Sequence, residues 1–113
     1  MGISKNQAQY FRSLHLEALN VCRRLEREEY HLIEILQKIE HEKVYRFLGY
    51  KSLIQYAVIG LKLSKDRAYN FITVARKARE VDRLQVALRE NKITLSKAKR
   101  ISSVLNKITQ NIG

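Results

Sequence analysis

Residues 61–81 read LKLSKDRAYNFITVARKAREV, and the fold class follows from how this stretch divides. Ser64 stands directly after the apolar Leu63, and its hydroxyl can accept a hydrogen bond from a first-turn amide, so a helix starts there. From that cap Ala68, Phe71, Ile72, Ala75 and Ala78 recur at helical spacing and form one packing face. Lys65, Asp66, Tyr69, Asn70, Thr73, Arg76 and Lys77 are left looking outward, on a face that is polar and mostly basic. Just upstream, SLIQYAVIG at residues 52–60 reads as a short, nearly all-apolar helix that must be buried, joined to the capped helix by a turn around Gly60 to Leu63. A short buried helix, a turn and a capped basic helix predict a helix-turn-helix-like unit over residues 52–79.

The remainder of the 113 residues supports the same class. Proline is absent and glycine occurs four times, while Leu, Ile, Ala, Lys, Arg and Glu dominate. The expectation is one all-α domain, a small bundle of five or six helices with no strand. Charge interrupts every apolar run before the roughly 18 residues a membrane span needs, and MGISKNQ lacks the apolar core of a signal peptide, so a cytoplasmic protein is expected. Cys22 is the only cysteine, which excludes an internal disulfide and a zinc site of paired-cysteine type.

Charge is distributed unevenly. Residues 1–50 hold 8 basic against 7 acidic residues, a net of +1, and residues 51–113 hold 14 against 4, a net of +10. An excess confined to one half points to a partner with many negative charges, most simply nucleic-acid phosphate, because neutralising phosphates releases condensed counterions. A solvated surface in a basic protein would give the same count.

In the near-neutral half, residues 1–50, Phe11, Leu14, Ala18, Val21 and Leu25 are spaced alternately by three and four from a start at Ser4, a heptad-like stripe. The stripe meets Glu28 and Glu29 and resumes with Leu32, Ile35 or Leu36, and Ile39. Two helices breaking within Glu26 to Tyr30 are preferred, with the stripe as ordinary core. The alternative is one rod, whose stripe needs a partner to cover it and which implies a homodimer through residues 7–40.

Catalytic chemistry finds no foothold. Glu28-x-x-His31 has the spacing of one arm of a di-iron site, but no second copy exists to complete it. His15, Cys22 and His41 form neither a metal-ligand set nor a nucleophile–base pair, and there is no Gly-rich phosphate loop. No catalytic residue, metal, cofactor or small-molecule substrate is expected.

The run Leu48-Gly49-Tyr50-x-Ser52-Leu53-x-x-Tyr56, followed by Leu63-Ser64, Ala68-Tyr69, Ala75-Arg76-x-Ala78-Arg79-Glu80-Val81 and Ile93-Thr94-Leu95-Ser96, resembles the helical N-terminal region of bacterial HNH-endonuclease-type proteins. It is also similar to the helical DNA-binding region of ParB-type partition proteins. The resemblance implies an all-α module in a DNA-acting protein and carries over no nuclease, because the catalytic His-Asn-His segment has no counterpart here. Where such relatives often have glycine before the Leu-Ser, this chain has Lys62, and a positive φ there would cost on the order of 1 kcal/mol.

Beyond Val81, Asp82 is expected to cap a short helix from Arg83 to about Glu90 with Leu84, Ala87 and Leu88 inward. Leu95-Ser96-Lys97 repeats Leu63-Ser64-Lys65 and is expected to cap a last helix with Ala98, Ile101, Leu105 and Ile108 inward and Lys107 outward. The basic half ends near residue 108, and residues 109–113 are expected to fray. The functional expectation is a duplex-DNA-binding protein, nucleoid-associated in that case. Ser64, Lys65, Asp66, Tyr69, Asn70 and Thr73 are the candidates for reading base edges, and Arg76, Lys77, Arg79, Lys97, Lys99 and Arg100 are the candidates for holding phosphate on one continuous basic surface. The alternatives are a protein-interaction or dimerisation module and the N-terminal accessory part of an HNH nuclease without its catalytic domain.

Overall fold

The computed structural model of the chain describes residues 2–112, with side chains as far as Leu105. Six α-helices and no strand occur among the described residues: α1 (Lys5–His41), α2 (Val44–Phe47), α3 (Leu53–Gln55), α4 (Lys65–Glu80), α5 (Asp82–Arg89) and α6 (Leu95–Ile112). A single π turn, Tyr56–Gly60, continues α3. The chain is an all-α domain, as its composition predicts.

α4 is the helix on which the others pack. Ala68, Phe71, Ile72, Ala75 and Ala78 are buried along it, as their spacing predicts, and Val74 joins them. Its neighbours are α1, α5, α6 and the α3 segment with its π turn. Three of those six side chains are methyl groups, which lets neighbouring backbones approach closely. α6 answers with Ala98 and Ser102, both fully buried, and the Ser102 hydroxyl donates to the Ala98 carbonyl at 2.7 Å, so no buried polar group is left without a partner there. Burying the two largest side chains, Phe71 and Ile72, stabilises the domain by about 1.5–3 kcal/mol each.

The start of α4 is fixed by Ser64, whose Oγ accepts from the Arg67 amide at 3.2 Å. The turn before it is closed by two bonds back to the π turn, Leu61 N–H to the Tyr56 carbonyl at 3.0 Å and Leu63 N–H to the Ala57 carbonyl at 3.1 Å. Between them Lys62 takes φ 60°, so the strain attached to a non-glycine residue at this position is present. Gly49, with φ +95°, makes the bend between α2 and α3 that a side chain would resist. The bend sets the Tyr50 ring edge-on to Tyr56, with centroids 5.6 Å apart.

α1 corrects the reading of the N-terminal half. It is one helix of 37 residues, opened by a Ser4–Gln7 capping box, and does not break within Glu26 to Tyr30. Glutamate and arginine are good helix formers, and with no glycine, proline or competing cap in the acidic cluster nothing stops the hydrogen-bond ladder. Only the last part of α1 joins the core, through Ile33 and Leu36. Because no second helix folds back, Phe11, Leu14, Ala18, Val21 and Leu25 are all exposed, so the stripe is not core. The rod dominates the shape. The radius of gyration is 18.6 Å, against about 13 Å for a compact chain of this length, and the longest extent is 62 Å.

Two caps also differ from expectation. Val81, not Asp82, occupies the N-cap position of α5, and Asp82 lies in the first turn. In α6 the capping hydroxyl is Thr94, whose Oγ1 accepts from the Lys97 amide at 3.2 Å, so the helix begins two residues ahead of the Leu-Ser-Lys repeat's prediction. Leu84 and Leu88 are buried as expected and Ala87 is half-buried. Ile101 is exposed instead of inward, because α6 turns Ala98 and Ser102 toward α4. Lys107, Ile108 and the tail from Thr109 lie outside the residues whose side chains are described.

Two stability measurements check this account of the turn and cap. Ser64→Ala is expected to lower stability by roughly 0.5–2 kcal/mol in chemical denaturation, through loss of the bond to Arg67. Lys62→Gly, which relieves the left-handed residue, is expected to raise it by up to about 1 kcal/mol, and a loss of stability would contradict the strain at that position.

Candidate nucleic-acid interface

What holds α4 in place is a polar cross-link among three helices. Gln37 Nε2 on α1 donates to the Ala75 carbonyl and to Gln85 Oε1, both at 2.9 Å. Gln85 Nε2 on α5 donates in turn to the Tyr30 hydroxyl at 3.0 Å, and Arg89 Nε reaches the same hydroxyl at 3.3 Å. Each partly buried amide is thereby satisfied, and each bond contributes about 0.5–1.5 kcal/mol while fixing the rotation of α4 about its axis.

That rotation decides which side chains face outward. At 100° per residue Lys65, Tyr69 and Arg76 fall within about 40° of one another, and all three are exposed. They form one strip along α4, with Thr73 half-buried at its margin and Asp66 exposed near the start. Ser64 is exposed, but its hydroxyl is engaged as the cap. Asn70 does not face outward freely. It is half-buried in a cleft lined by Glu26, Glu29, Arg67, Thr94, Leu95 and Ser96, where two carboxylates make an unfavourable setting for phosphate.

The phosphate candidates separate into unlike groups. Lys77 is buried, 8% exposed, with its ammonium 3.0 Å from Glu80 Oε2, and this corrects its outward placement. A helix packed on several sides buries position 77 as well as the face centred on Ala75. Arg76 is held against α1 by Glu40, with Nη2 at 2.6 Å and Nε at 2.8 Å from the same oxygen. Arg79 Nη2 lies 3.4 Å from His41 Nδ1. Lys97 and Arg100 are exposed on α6, and Lys99 is half-buried with Nζ 3.4 Å from Ser103 Oγ. The start of α6 shares the cleft with Arg67 and Asn70, whereas Arg76 and Arg79 lie roughly on the other side of α4.

Lys62 and Arg67 were not among the sequence candidates. Lys62 is exposed at the turn, and Arg67 spreads over the Phe71 ring at 5.4 Å, a placement legible in their i, i+4 spacing. Ion pairs among the described residues join Arg76 to Glu40, Lys77 to Glu80 and Lys92 to Glu90. Lys62, Lys65, Lys97 and Arg100 take part in none of them. Glu28 and His31 are exposed and 3.9 Å apart, and among the described residues no group of three His, Cys, Asp or Glu side chains is arranged to hold a metal ion. Among the described residues no helix is long and apolar enough to cross a membrane. Comparison of the chain with protein-family models, with curated proteins and with solved structures finds no match to any of them.

The acidic cleft has a titratable consequence. Burial pushes the Glu29 carboxyl above its ordinary pKa, Arg67 opposes that rise, and Glu26 adds to it. A carboxyl whose pKa is raised by folding contributes stability that is fully present below its unfolded pKa and is lost as pH rises through the folded value. At neutral pH the ionised group therefore works against the fold. Glu29→Gln is expected to raise the melting temperature at pH 7 and to lose that advantage near about pH 3, where the wild-type carboxyl is already neutral; an equal effect at both values would show that ionisation is not its cause.

Proposed function

We propose that this chain is a non-catalytic duplex-DNA-binding module, in which the basic half grips the phosphate backbone and the outward strip of α4 faces a groove. One observation carries the reading: residues 51–113 hold a net charge of +10, and Lys62, Lys65, Lys97 and Arg100 within them are exposed without an acidic partner among the described residues. Cations left unneutralised by their own fold gain most from a polyanion, because each phosphate they cover releases counterion.

Within the sequence candidates, exposure favours Lys65, Asp66 and Tyr69 for base edges over Asn70 and Thr73, which are half-buried. The Tyr69 hydroxyl can donate and accept, so it can discriminate among base edges, whereas the ammonium groups of Lys62 and Lys97 act as point charges on phosphate. The helix-turn-helix-like succession of α3, its π turn and α4 is the element that would deliver the strip. The resemblance to helical regions of DNA-acting proteins supports the same class.

The test is a titration with random-sequence duplex DNA over a salt series. Binding in the range of about 10⁻⁴ to 10⁻⁶ M, weakening steeply with salt, is expected, and no binding at about 50 mM salt would overturn the reading. Replacing Lys97 and Arg100 by alanine should weaken binding to all sequences alike and flatten the salt slope by about one unit per lost phosphate contact. Tyr69→Ala should instead reduce preference for a selected site by roughly 1–3 kcal/mol with little change on random DNA, and Asn70→Ala should alter neither.

A further inference from the structure

We infer that α1 is an arm that pairs with α1 of a second copy of this chain, antiparallel, over residues 11–28. The arm leaves the body before Glu26, and along it Phe11, Leu14, Val21 and Leu25 are 49%, 45%, 40% and 57% exposed with Ala18 between them. These five residues alternate by three and four, the spacing that keeps a seam facing a partner helix. An apolar stripe of this length on an isolated helix is otherwise left in water, where a helix has little stability of its own.

The stripe fits a copy of itself. Residues 11–28 span about 27 Å, and two such helices side by side bury on the order of 1,000 Å² in total, the size at which specific interfaces begin. A two-fold axis between Leu19 and Asn20 sets each residue opposite the one whose number brings the sum to 39, so 11–28 lies on the partner's 11–28. Val21 then meets Ala18 and Leu25 meets Leu14.

Charge chooses the direction. In a parallel pair Glu28, at a seam position, would face the other Glu28. The antiparallel pair moves it to the open end of the seam beside Phe11. Glu17 and Arg24 flank the seam at equivalent positions, and with the axis at that point each Glu17 lies beside an Arg24 of the other copy, twice by symmetry.

The experiment is sedimentation equilibrium on the full chain. A species of twice 13.3 kDa is expected at tens of micromolar, roughly the affinity such a small seam supports. Leu14→Glu with Leu25→Glu should give a monomer. Glu17→Arg and Arg24→Glu should each weaken the dimer by roughly tenfold or more, the double variant should recover wild-type association, and a mixture of the two single variants should form heterodimers. These charge variants alter exposed positions outside the core, so they decide the matter even if the glutamate pair disturbs folding. A chain that stays monomeric at about 100 µM, well above that affinity, overturns the inference. So does a dimer indifferent to the charge exchange, which would place the contact or its direction elsewhere.

Discussion

The constraint on which the structure depends is that α4 must be wrapped. A 16-residue helix with Ala68, Ala75 and Ala78 among its buried positions has too little apolar surface to pack on one partner alone. It reaches stability by being touched on several sides at short range, by α1, α5, α6 and the segment before it. Small side chains allow that approach, and the same approach leaves only a narrow outward strip. The central outward strip of α4 is Lys65, Tyr69 and Arg76, with Asp66, Arg67, Arg79 and Glu80 exposed toward its ends, and Arg76 is already turned toward Glu40.

The second organising fact is the absence of any stop signal between Ser4 and His41. Helices end where a backbone group finds a better partner or where a residue cannot continue, and neither occurs along α1. The body takes hold of the rod only near its end, through Ile33 and Leu36 and through the Tyr30–Gln37–Gln85 bonds. Apolar burial alone would tolerate rotation of the rod. The amide pairing between Gln37 and Gln85 does not, because a small turn leaves two half-buried amides unsatisfied.

The sequence makes some of this legible and hides the rest for identifiable reasons. The inner face of α4 can be read because its five apolar residues share one helical period. Period does not reveal how many neighbours a helix has, so Val74 and Lys77 escape notice. The acidic run at Glu26 to Glu29 looks like a boundary because it interrupts the stripe, yet charge changes what a helix face prefers and not whether the helix continues. The cap of α6 is ambiguous locally, since Thr94 and Ser96 both offer a hydroxyl. At the candidate interface, Lys65 and Tyr69 are readable as outward residues from spacing alone. The position of Asn70 is not, because its cleft exists only where α1 and α6 meet over α4.

The long arm also changes how the stability of this molecule must be understood. Helical hydrogen bonds in residues 5–28 have little beneath them but their own propensity, whereas those of α4 are closed in by packing. Local opening in the arm then costs far less than opening of the body. A probe of total helix content and a probe of the tyrosines around Tyr30, Tyr50 and Tyr56 accordingly follow different events, and a single unfolding free energy does not describe both parts of an uncovered chain.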